Sequence, residues 1–201
     1  MAHRRLGLAA LVLAPVLAGC GGTSGAEKTP ASPTIDTSSP TIEAPSPTVA
    51  AATGVEVPGT GYSFRAPTQW RDVTKKVSKA GVDTAAAAAT ATAGFTSNIN
   101  VVIADRAFTA AQLDQVTERA RSQVDGQADN YQIETPTTVA GALAGHLRGT
   151  HEANKASYWL EQYLISHGKH TYVVSFSFSP KVPETKRDKQ IASVLASWTW
   201  G

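Results

Sequence analysis

All four tryptophans, all five tyrosines and all five phenylalanines of this 201-residue chain lie beyond about Val55. The stretch before that point, from Gly21 to about Gly54, is rich in Ser, Thr, Pro, Ala and Gly and includes "TPASPTIDTSSPTIEAPSPTVAAATG". With no aromatic residue and few large apolar ones, it buries too little surface to offset the entropy of ordering, and it reads as a disordered stalk. Its prolines favour extended segments, and at about 3.1 Å per residue roughly thirty residues reach roughly 100 Å. The Thr-Pro and Ser-Pro pairs have the composition of O-glycosylated stalks. A folded core is thereby confined to residues 55–201, about 147 residues, the size of a single domain. No internal repeat is visible.

The other end of the stalk carries the only cysteine, Cys20. "MAHRR" places Arg4 and Arg5 before an apolar run from Leu6 to Gly19, the layout of a secretory leader, and the run is too short to span a bilayer. Leu17-Ala18-Gly19-Cys20 resembles the bacterial lipobox at every position. That resemblance implies a signal peptide over 1–19, a lipidated Cys20 heading the 20–54 stalk, and a domain over 55–201. It places the protein at the cell membrane, anchored on the extracytoplasmic face by acyl chains. Each buried methylene contributes about 0.8 kcal/mol, so two chains hold where one is marginal. A sulfur used this way is unavailable for a disulfide, a nucleophile or a zinc thiolate. The core alone must hold the domain together.

Lys and Arg exceed Asp and Glu by two, and the leader removes Arg4 and Arg5 with no acid, so the remainder is formally neutral. Nucleic-acid binders show a basic excess, and none is present here. The short clusters Lys75–Lys76 and Lys186–Lys189 read as solvated surface.

The clearest helix runs over "TAAQLDQVTERARSQVDG": Thr109 and Gln112 form a capping-box pair, Leu113, Val116, Ala120 and Val124 share a face, and Gly126 terminates it. A second covers "PETKRDKQIASVLASW", with Pro183 in its first turn and a stripe of Ile191, Val194, Leu195 and Trp198. In "TYVVSFSFS", Tyr172, Val174, Phe176 and Phe178 alternate with smaller or polar residues, the period of a strand. It follows "YWLEQYLISHGKH", so His167-Gly168-Lys169-His170 reads as a hairpin turn. "GYSFRAP", "TAAAAATATA", "SNINVVIAD", "YQIETPTTV" and "ALAGHLRGTHE" are further strands. Hairpins imply a largely antiparallel sheet with helices packed on it.

The order of these parts resembles a family. Tyr62-Ser63-Phe64 through Pro67 and Trp70 is similar to the opening strand and P-x-x-W turn of PsbP-like domains. "NINVV" (Asn98–Val102), the helix from Thr109 and "TVAGALAGHLRGTHE" then follow as in actinobacterial LpqN-type lipoproteins. Gln69 departs from the pattern, where a glycine commonly precedes the tryptophan, and this bears on the shape of the turn. The resemblance implies an α+β fold, an α/β/α sandwich around a largely antiparallel sheet, in a binding or assembly module without a recognised catalytic set.

The residues themselves agree in offering no complete motif. His151-Glu152-Ala153-Asn154-Lys155 begins like H-E-x-x-H but ends in lysine and lies in a strand-like stretch, so the metalloprotease reading fails. His167 and His170 flank a turn without a third ligand at suggestive spacing, and solvated histidines are the plainer reading. "GALAGHLRG" lacks the context of a phosphate loop, no G-x-S-x-G occurs, and the acids are dispersed. No metal or cofactor is expected. What remains is aromatic: Trp70, Trp159, Tyr163 and Trp200 form a possible apolar binding surface, set against the ordinary role of such residues in core packing. Trp200 stands out because it lies beyond the last helix, one residue from the end. The expectation is a non-catalytic domain that binds an envelope protein partner. A continuous apolar cavity would instead favour a carrier or sensor of lipids or glycolipids, and a buried His–acid pair at a cleft would favour a hydrolase.

Overall fold

The computed structural model describes residues 49–124, 128–153 and 156–201. The leader, Cys20 and most of the stalk lie outside the described residues, as do Gly126, Asn154 and Lys155. Ten strands and three α-helices follow one another as β1 (Glu56–Gly59), β2 (Tyr62–Arg65), β3 (Trp70–Asp72), α1 (Thr74–Val77), β4 (Thr84–Ala88), β5 (Asn98–Ala104), α2 (Leu113–Val124), β6 (Ala128–Val139), β7 (Ala142–Ala153), β8 (Ala156–His167), β9 (His170–Phe178), α3 (Glu184–Ala196) and β10 (Thr199–Trp200). Seven strands form one sheet in the order β3-β4-β5-β9-β8-β7-β6, every pair antiparallel. A small second sheet has the order β1-β2-β10.

The two faces of the large sheet bury different stripes. Leu147, Leu160, Leu164 and Tyr158 pack with Leu113, Val116 and Ala120 of α2. On the other face, Ile99, Val101, Val174, Phe176 and Ile165 meet Ile191 and Val194 of α3 and Phe64 of the small sheet. The result is a layered α+β sandwich with the seven-stranded sheet at its centre. Among the described residues no helix is long and apolar enough to cross a membrane.

Local chemistry explains the boundaries. Thr109 donates its N–H to Gln112 Oε1 at 3.0 Å, and a 3₁₀ turn over Ala110–Gln112 leads into α2. Gly145 lets α2 approach, since a Cβ there would run into Thr117 Oγ1. Pro183 sits at the N-cap of α3, one position before the first turn, and its carbonyl accepts from Lys186 and Arg187 at 3.0 Å each. β9 is buried on both faces, because the polar side chains of its second face also find partners: Thr171 donates to the Arg106 carbonyl at 2.6 Å, and Gln162 donates to Ser175 Oγ at 2.8 Å.

The expected end of the stalk at residue 54 requires correction. Ala52 is buried in the main core and donates its N–H to the Ser193 carbonyl of α3 at 2.8 Å, and Gly54 donates to Ala66 at 3.0 Å. Small residues without aromatic neighbours carry no apolar signal, yet their backbone groups pair with the domain.

Candidate functional site

The aromatic residues expected to form a surface do not converge on one. Trp70 is buried against Phe178, with ring centroids 6.2 Å apart. Tyr163 is buried and turns its hydroxyl inward, and Trp198 stacks on Tyr62 at 4.5 Å. Trp159 is half-buried beneath the Arg187 guanidinium, which lies 4.3 Å above its ring. Trp200 belongs to β10, at the far end of β8, where it stacks on His167 at 3.9 Å and donates Nε1–H to the Ala140 carbonyl at 3.1 Å. The last residues of the chain are thereby pinned to the domain. Cys20 lies outside the described residues.

A polar cluster sits on one flank of α3. The pleat of β8 sends Trp159, Glu161 and Tyr163 to the α3 side, and the register places His146 and Arg148 of β7 opposite Tyr163 and Glu161. Glu161 is almost wholly buried, at 4% exposure. Its Oε1 accepts the Tyr163 hydroxyl at 2.8 Å and meets His146 Nε2 at 2.8 Å, while Trp159 Nε1 stands 3.5 Å from Oε2. The imidazole stacks on the Tyr163 ring at 4.4 Å. Arg148 joins Glu134 at 2.7 Å and reaches Glu184 of α3 at 3.7 Å.

Burial pushes the Glu161 carboxyl upward, but the hydrogen bonds and charge of His146, with help from Tyr163 and Trp159, hold it below the ordinary range. Burial, reinforced by the Glu161 charge, drives the Tyr163 phenol far above its usual value. Burial and repulsion from Glu161 and Glu184 raise Asp188. This is a buried His–acid pair, yet among the described residues no Ser or Thr hydroxyl hydrogen-bonds His146, and the adjoining phenol is held protonated. Among those residues no group of three or more His, Cys, Asp or Glu could hold a metal. His151 is buried against Tyr158, and burial lowers its pKa. His167 and His170 are paired across the turn but serve different neighbours, Trp200 for the first and Asp105 (3.7 Å) for the second.

Across α3 lies a groove of about 760 Å³, running along the β3 edge of the sheet. One wall is the turn Pro67–Trp70, closed by the Trp70 N–H to the Pro67 carbonyl at 3.1 Å, with Gln69 in the left-handed region at φ 69°. Gln69 thus occupies a backbone conformation that a glycine would adopt freely. A second wall is the loop after β4, where Thr92 and Phe95 exchange backbone hydrogen bonds around Ala93 (φ 50°) and Gly94 (φ 83°). The Ala89 N–H ties the walls by donating to the Gln69 carbonyl at 3.2 Å. Val182, Lys186 and Gln190 form the α3 side. Lys186, legible only as solvated surface, is exposed but faces this groove. Neither the cluster nor the groove is visible in any short motif, since each joins segments distant in sequence.

No family model matches the chain, and no curated protein matches it. Solved structures do. The cyanobacterial PsbP (CyanoP) from Synechocystis superimposes with a TM-score of 0.52 at 15% identity, over 74% of this chain and 95% of that one. LpqN of Mycobacterium tuberculosis, a protein involved in cell envelope biogenesis, superimposes with a TM-score of 0.51 at 13% identity, over 71% of this chain and 84% of that one. A protein from Bacteroides thetaiotaomicron gives 0.48 at 10% identity over 74% of this chain, which spans 49% of that protein's length. At such identities the likeness is one of fold, and the fold is PsbP-like.

Proposed function

We propose that the chain is an LpqN-type lipoprotein, anchored by lipid at Cys20 on the extracytoplasmic face, whose PsbP-like domain binds an envelope protein partner without catalysis. The observation that carries the non-catalytic reading is that the groups best suited to acid–base chemistry are engaged with one another. Glu161 has accepted His146 and Tyr163, and Arg148 has taken Glu134 and Glu184. Among the described residues, such a network leaves neither His146 nor Glu161 free beside a nucleophile. The lipid-carrier alternative is disfavoured because the groove along β3, besides Trp70, Ala88, Ala89 and Val182, is lined by Thr, Ser, Gln, Arg and Lys, whose hydration an acyl chain would remove without replacing it. The role of LpqN in cell envelope biogenesis supports the location.

Two measurements test this. Metabolic labelling with a fatty-acid analogue should mark the wild type and not Cys20→Ala, and equal labelling of both would end the lipoprotein reading. In a deletion strain, His146→Gln should complement like the wild type. A folded His146→Gln protein that fails to complement would move the hydrolase reading to first place.

A further inference from the structure

We infer that the groove between the β3 edge and α3 binds an anionic saccharide, a polyhydroxyl chain bearing carboxylate or phosphate groups. This goes beyond the reading above and holds whether or not the chain is anchored or has a protein partner. Four observations carry it.

The groove's volume of about 760 Å³ lies within the ordinary span for ligand sites, about 300–1,000 Å³. Its charge has one sign: Arg71 and Lys186 line it, and no carboxylate does. Its neutral polar side chains, Gln69, Gln190, Thr68, Thr90, Thr92 and Ser97, make no side-chain hydrogen bond to any described residue, and neither cation has an ion-pair partner there. On the opposite flank of α3, by contrast, Glu184 reaches Arg148 and Arg187 covers the Trp159 ring. Finally, the walls are fixed in advance by the two tight turns and the Ala89–Gln69 bond, and they hold two non-glycine residues, Gln69 and Ala93, in left-handed backbone. Such strain persists only where surrounding structure enforces it, so the walls are held in shape without a ligand.

The chemistry selects the ligand. Amide and hydroxyl side chains both donate and accept, as sugar hydroxyls do, so each can pair in either direction. A guanidinium presents a planar fork to carboxylate or phosphate, and an ammonium adds a point charge. An acidic peptide would match the cations, but it would add to the sheet through backbone bonds, and β3 offers an edge only three residues long.

The test is titration calorimetry on the purified mature protein with tetragalacturonate and with a glycerol-phosphate oligomer, using maltotetraose and hexaglutamate as comparators. At least one of the anionic oligomers should bind with Kd below about 1 mM, and the neutral tetrasaccharide should bind at least about tenfold more weakly. Arg71→Gln and Lys186→Gln should each weaken binding about five- to tenfold, and Gln190→Ala about threefold, with unchanged melting temperatures because none of these side chains has a partner among the described residues. The inference is overturned if neither anionic oligomer binds at about 5 mM, if the variants bind like the wild type, or if hexaglutamate binds as tightly as the saccharide. The last result would assign the groove to an acidic peptide. Lipid labelling and complementation do not enter this readout, so its failure is distinct from failure of the proposed function.

Discussion

Replacing Glu161 with Gln probes the buried polar cluster that β7 and β8 form beside α3. Gln keeps the volume and one acceptor oxygen, so the Tyr163 and His146 contacts, each 2.8 Å long, survive in form but lose the carboxylate charge. A hydrogen bond to a charged group contributes about 1.5–3 kcal/mol against about 0.5–1.5 for a neutral one, so two such bonds lose about 2 kcal/mol together. Relief from burying a carboxylate returns part of that, leaving a net loss of about 1–2 kcal/mol at pH 7. Glu161→Ala should cost more, about 3–5 kcal/mol, because Tyr163 and His146 are then left without a partner beside a void. The pH dependence has a definite sign. The folded carboxyl titrates below its unfolded value, so its contribution is fully present above the unfolded pKa of about 4.3 and is lost as pH falls through the folded one. Urea unfolding followed by tryptophan fluorescence should therefore show a gap between wild type and Glu161→Gln at pH 7 that closes toward pH 3. Equal stabilities at pH 7, or a gap that widens on acidification, would refute the account.

Four further outcomes follow from the same contacts. Asp188 is raised by burial and by its acidic neighbours, so its ionised form is disfavoured in the folded state; Asp188→Asn should raise the melting temperature slightly at pH 7, and the gain should shrink as pH falls below the raised pKa and vanish below the unfolded value of about 3.9. A chain starting at Val55 loses the Ala52 and Gly54 backbone bonds and the buried Ala52 side chain, about 1–2 kcal/mol, and should melt a few degrees below one starting at Val49. Gly145→Ala drives a methyl into Thr117 and should cost about 1–3 kcal/mol by chemical denaturation, with much of the loss restored in Gly145→Ala/Thr117→Ala. Gln69→Gly relieves a left-handed residue whose exposed side chain packs little, and calorimetry should show stabilisation of up to about 1 kcal/mol.

What could be read from the sequence was whatever repeats with a local period. The alternation of Tyr172, Val174, Phe176 and Phe178 marks β9, Thr109 and Gln112 mark the start of α2, and the His167–His170 turn joins β8 to β9, because each depends only on near neighbours. The family resemblance carried the layer order beyond those local signals. The polar cluster escaped because it depends on register. His146 meets Glu161 and Tyr163 only when β7 pairs β8 with His146 opposite Tyr163, and a one-residue slip would send these side chains to the α2 face. Buried Arg187 escaped for another reason. An arginine on a helix reads as solvated until a partner ring is known, and here that ring is Trp159. Ala52 lay hidden because burying an alanine needs no apolar pattern around it.

The two flanks of α3 therefore differ in what their polar groups can still do. On the β7–β8 side, Glu184 reaches Arg148 and Arg187 covers Trp159, so the helix meets the sheet through two charged contacts. On the β3 side, Lys186 and Gln190 project from the same helix with no side-chain hydrogen bond to any described residue. Residues 186 and 187 point to opposite fates because successive helix positions are rotated by about 100°. A ligand bridging Lys186 to Arg71 would thus meet a helix already fixed from behind, and little of its binding energy would go into ordering α3. By the same reasoning, loosening the rear contacts should weaken the groove without touching it. Trp159→Ala, which removes the ring beneath Arg187 and leaves every groove residue in place, should lower saccharide affinity in proportion to the mobility it gives α3, measurable as faster amide exchange over 184–196. Unchanged exchange together with reduced affinity would break this link between the two flanks.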